Sequence, residues 1–159
     1  MSGTSKSGGD KDESPETGFS AEERAAMKAR AEELKAEAGG GDRGAKKAAK
    51  DELAVLDKIA EMESPDRALA LRVHRVVTAA GPELAPKLWY GQPAYAKDGK
   101  VVCFFRSGKV DKERYSSFGF STEANLDDES GLWPTSFALT ELSVEGEKAI
   151  AKLVKQALG

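Results

Sequence analysis

The spacing of apolar residues changes from helical to alternating near the middle of this chain and back again near its end. From Ala45 to Met62, Ala49, Leu53, Leu56 and Ala60 recur at helical intervals, and Val55, Ile59 and Met62 widen the stripe, which predicts a packed amphipathic helix. Ser64-Pro65-Asp66 then opens a second helix. Ser64 is its expected N-cap, Pro65 sits where a missing N–H costs nothing, and Asp66 faces the positive end of the dipole. Leu69, Val73, Val76 and Ala80 form its expected buried face, with Arg72 and Val77 on the flanks, until Gly81-Pro82 stops it. The single turn between the two predicts an antiparallel pair.

Beyond Leu84 the period is two. Leu88 to Tyr90 reads as a short strand, interrupted at Gly91-Gln92-Pro93, where proline cannot donate to a ladder. Asp98-Gly99 suits the positive dihedrals of a type I′ corner, so Tyr95–Lys97 and Lys100–Arg106 should form a hairpin in which Lys97 faces Lys100 and Tyr95 faces Val102. A third strand is expected from Arg114 to Phe120, and a last one from Leu132 to Leu139. Between them Ser121 should cap a turn, and an acidic loop follows at Asp127-Asp128-Glu129. Ser143 should cap a final helix with Ile150, Leu153, Val154 and Ala157 inward. The fold class is therefore α+β: an antiparallel sheet of about four to five strands, two helices before it and one after.

The N-terminal third differs. Residues 1–18 hold too little apolar area to offset ordering and are expected to be a disordered tail. Residues 19–44 comprise an appended Ala/Glu/Lys-rich helix, opened by a Ser20/Glu23 capping box, and a glycine-rich joint. The α+β domain occupies residues 45–159.

Of the 159 residues, 24 are basic and 27 acidic, a balance that argues against a dedicated nucleic-acid binder. The lone cysteine, Cys103, excludes an internal disulfide and a multi-thiolate metal site in one chain. No apolar run reaches the length of a signal peptide or membrane span, so a cytoplasmic location is expected.

The run Leu88-Trp89-Tyr90-Gly91-Gln92-Pro93-Ala94-Tyr95, with the Val101–Phe105 strand and the order of elements, resembles the YdhG-like family of small bacterial domains, over roughly Lys50 to Leu158. Some members are described as frataxin-like iron chaperones. The resemblance implies a non-enzymatic cytoplasmic protein that offers surface carboxylates to iron and hands the metal on, for instance to an iron–sulfur assembly protein. Two groups could serve: Asp57 and Glu61, four apart on one helix that also carries Lys46, Lys47, Lys50 and Lys58, and the loop set Glu123, Asp127 and Asp128.

A second function class rests on the rings. Trp89, Tyr90, Gln92, Tyr95, Arg106 and Trp133 could form a surface for a small ligand or a protein, or else be core with their polar tips satisfied locally. Basic residues from Lys97 to Arg114 lie among aromatics, a pattern that can hold single-stranded nucleic acid but more often protects a sheet edge. For an enzyme, a hydrolase or transferase, no nucleotide, zinc or serine motif is present. His74 is expected on the outer face of its helix between Arg67 and Arg75, out of reach of Cys103.

Overall fold

The computed structural model describes residues 43–159, so the predicted tail and most of the appended helix and its joint lie outside the described residues. Helix α1 (Arg43–Glu61) and helix α2 (Asp66–Ala80) come first, then strands β1 (Ala85–Trp89), β2 (Gln92–Lys97) and β3 (Lys100–Arg106). A short helix α3 (Gly108–Asp111) leads to β4 (Ser116–Phe120), β5 (Ser136–Leu139) and helix α4 (Val144–Ala157). All neighbouring strands are antiparallel, in the spatial order β1-β2-β3-β4-β5. The α+β class, with two helices before a five-stranded antiparallel sheet and α4 after it, is as expected.

Two tight corners set the register of the first three strands. Asp98 and Gly99 take φ of 52° and 83° and place Lys97 opposite Lys100, as their sequence predicts. Tyr90 and Gly91 make a second corner of the same kind, with φ of 50° and 77°, and Trp89 faces Gln92 across it. What the sequence suggested was an interruption is a hairpin, because Tyr90 accepts a left-handed backbone beside a glycine. A bulge then shifts the β2–β3 register between Tyr95 and Ala96, so Tyr95 faces Cys103 and not Val102. Val102 and Cys103 both enter the core as a result. Ser121 holds the bulge, donating its N–H to the Val102 carbonyl and its hydroxyl to that of Val101.

The core lies on one face of the sheet. Val55, Ile59, Val73, Val77 and Val154 from the helices meet Tyr95, Phe105, Phe118 and Phe120 from the strands. By alternation, Trp89, Ala94, Phe104, Gly119 and Ser136 share the opposite face. There the Phe104 ring lies over Gly119, and a Cβ at that glycine would come 2.6 Å from Phe104 Cζ.

Four predicted details change. The cap position of α2 is Pro65, after a cis Ser64–Pro65 peptide, and no side chain caps that end. The buried arc of α2 is rotated to include Asp66, Ala70, His74 and Val77, because α1 and α4 cover it from both sides. On α1 it is Glu52 that turns inward, while Leu53 is exposed. The last strand begins only at Ser136: Pro134 has no N–H for a ladder, and the segment from Leu132 to Thr135 leaves the sheet after Thr135 accepts a bond from the Phe120 N–H at 2.7 Å. Ser143 caps α4 as expected, accepting from the Gly146 N–H at 3.1 Å.

Candidate functional site

The predicted aromatic set divides into three environments. Tyr95 is 0% exposed and belongs to the core. Trp89 is half-buried on the face opposite the core, its ring 4.9 Å from that of Tyr90 and 5.2 Å from that of Phe104, and Tyr90 is 78% exposed. Trp133 lies on the connection to β5, at the other edge of the sheet from β1. Trp89, Tyr95 and Trp133 therefore form no common surface.

Gln92 and Arg106 are positioned by a polar knot around α3. The buried Gln92 accepts from the Ser107 N–H through Oε1 and donates through Nε2 to Asp111 at 3.1 Å. Arg106 grips the same carboxylate with two bonds of 2.8 and 3.0 Å, and this pairing raises the guanidinium pKa above its ordinary value. The buried Asp66 carboxylate accepts from the Ser107 hydroxyl and, at 3.0 Å, from the Lys109 N–H. Ser107 in turn caps α3 by accepting from the Val110 N–H. Each polar group is spent on another, which is the arrangement of a structural joint. The sequence placed Gln92 and Arg106 among ligand-binding candidates because nothing in it showed that one carboxylate, Asp111, would engage both, 19 residues on from Gln92.

A second buried group corrects the expectation for His74, which is 6% exposed. Its Nδ1 is 3.0 Å from the Tyr95 hydroxyl, and its Nε2 is 3.5 Å from an oxygen of Glu52, itself 2% exposed. A Tyr95 hydroxyl donating to Nδ1 leaves the Nε2 proton facing Glu52. Burial first, then Cys103 and Glu52, raise the Tyr95 phenol well above its usual range. Burial likewise pushes the Cys103 thiol up to about 12, which disfavours the thiolate.

The acidic candidates lie on the surface. On α1, Asp57 and Glu61 are exposed, and Glu61 is 3.5 Å from Lys58. In the loop, Glu123 is exposed, and Asp128 accepts from both the Ser130 N–H and hydroxyl, bonds that lower its pKa. Among the described residues no group of three or more His, Cys, Asp and Glu side chains is placed to hold a metal ion.

Asp127 is placed differently, because it lines a cleft with Trp133. This cleft, of about 450 Å³, is also bounded by Phe120, Ser121, Thr122, Ala124, Gly131, Leu132 and Thr135. Local geometry builds it. Ser121 accepts from the Glu123 N–H and its carbonyl from the Ala124 N–H, which turns the chain away from β4. The Asn125 N–H donates to the Ala157 carbonyl, tying the loop to the end of α4. Ser130 braces the return, donating to Asp128 and to the Leu132 carbonyl, while Gly131 takes φ of 84°. The cleft thus unites one ring from the aromatic candidates and one carboxylate from the metal candidates. Leu132, 82% exposed, also lines the cleft and reads in the sequence as the start of a strand, although its place between Gly131 and Pro134 signals a loop tip.

Comparisons with protein-family models, with curated proteins and with solved structures gave no match. Among the described residues no helix is long and apolar enough to cross a membrane.

Proposed function

We propose that this chain is a non-catalytic binding module that takes a small ligand in the cleft between the Phe120–Ala124 turn and the Gly131–Thr135 return. One observation carries the reading. The cleft sets the Trp133 ring, Phe120 and the exposed Leu132 beside a few polar groups, Thr122, Asp127 and Thr135, in a volume within the usual range for small-molecule sites. Its walls come from a braced loop on a rigid sheet, which favours a pre-formed site. The lack of a catalytic role is supported by the protonated, buried Cys103 and the enclosed His74.

The test is a fragment screen by protein NMR, following backbone amides and the two tryptophan indole N–H signals. Bound fragments should shift Thr122, Leu132 and the Trp133 indole, and Trp133→Leu should abolish those shifts in a folded protein. Shifts that gather instead at Trp89 and Phe104, or none at millimolar fragment, would overturn the reading. The iron carrier implied by the family resemblance is a separate proposal that would draw on Asp57 and Glu61 or on Glu123, Asp127 and Asp128. Anaerobic titration with ferrous iron tells the two apart, because only the carrier gives saturable heat.

A further inference from the structure

We infer that the ligand of this cleft is an organic cation, a protonated amine or a quaternary ammonium group, an inference that rests on the small-ligand reading above. Among the described residues that line the cleft the one charged side chain is Asp127, and none is a lysine or an arginine. The surrounding sequence is segregated in the same sense: between Arg114 and Lys148 there is no basic residue, whereas Glu123, Asp127, Asp128 and Glu129 all fall in the loop that forms the cleft. Carboxylates gathered around a concavity of mixed apolar and hydroxyl lining raise the local concentration of cations and repel anionic ligands. Asp128 is held by Ser130 and so keeps its charge beside the site without entering it.

The walls select the kind of cation. A hard metal ion asks for about six oxygen ligands, and this lining offers one carboxylate and a few hydroxyls. An alkylammonium carries its charge on a shell of methyl or methylene groups, which lie favourably against an indole face and an apolar wall. Trp133 supplies an aromatic ring, the exposed Leu132 supplies apolar contact, and Asp127 supplies the counter-charge, over a floor formed by the buried Phe120 and Ala124. The same headgroup occurs in free small amines and in lysine or methylated lysine side chains.

Choline, its uncharged carbon isostere dimethylbutanol, and a blocked trimethyl-lysine are titrated into the full chain, with binding read by tryptophan fluorescence and by the Trp133 indole resonance. Choline should bind at the cleft about tenfold more tightly than dimethylbutanol, and Asp127→Asn should remove that preference while the isostere's affinity stays the same. Equal affinities for choline and trimethyl-lysine point to a free amine, and tighter trimethyl-lysine binding points to a protein side chain, both within the proposal. Dimethylbutanol binding as well as choline, or an Asp127→Asn protein that keeps the preference, overturns the cation assignment while the small-ligand reading stands. If no compound and no fragment moves Trp133, both fall.

Discussion

The two connections at opposite ends of β4 are built from similar residues and end in opposite states. The one from Ser107 to Tyr115 carries Asp111 and receives Asp66, and both carboxylates are held by protein donors: Arg106, Gln92, the Ser107 hydroxyl and the Lys109 N–H. The one from Ser121 to Thr135 carries Asp127 beside Trp133 in an open cleft. A carboxylate whose acceptor sites are filled from within stabilises a joint, whereas one beside a ring and solvent is available to something else. What separates the two connections is the supply of donors. The first connection has a short helix and a facing arginine, and the second has neither among the described residues.

The largest test of that contrast is Asp66→Ala. It strips the acceptor from the Ser107 hydroxyl and the Lys109 amide in a buried setting, and should cost about 2 to 3 kcal/mol in urea denaturation. A loss under half of that would show that the knot is ornamental and the comparison false. A smaller effect concerns the other closed polar group, around Tyr95 and Cys103. The folded protein keeps thiol and phenol protons that an unfolded chain releases above their ordinary values of 9.0 and 10.0. Stability is therefore fully present below 9.0 and falls as pH rises toward the folded value of about 12. One pH unit above the ordinary thiol value the thiol alone should cost about 1 kcal/mol, and Cys103→Ala should flatten the slope of stability against pH. An unchanged slope would mean the thiol is ionised in the fold. The smallest expected change is in Asp127→Asn, which should leave stability within about 0.5 kcal/mol of the parent protein by thermal melting. A larger drop would place Asp127 with the structural carboxylates.

Periodicity made much of this fold legible. The spacing of Val55, Ile59 and Met62, the Ser143 cap and the Asp98-Gly99 corner each depend on residues close in sequence, and each appears where expected. What escaped depends on partners far along the chain. His74 is drawn inward by Tyr95 and Glu52, and Gln92 is claimed by Ser107 and Asp111, pairings that no local pattern encodes. For the candidate site, Trp133 was visible as a ring that could be surface or core, and Asp127 as part of an acidic loop. Their meeting was not, because it requires Leu132 to Thr135 to leave the sheet, which Pro134 and Gly131 hint at and the run of apolar residues conceals.

The paired two-residue corners at Tyr90-Gly91 and Asp98-Gly99 also bear on the order in which the molecule assembles. Strands β1 to β3 close by short-range contacts and can form early, while β5 must wait for the whole segment from Ser121 to Thr135 to loop back. The last part of the sheet to zip is then the first to unzip, so hydrogen exchange should be fastest in this late-docking segment and slowest in the early meander. A guest seated against Trp133 would clasp the one seam that the chain itself closes last.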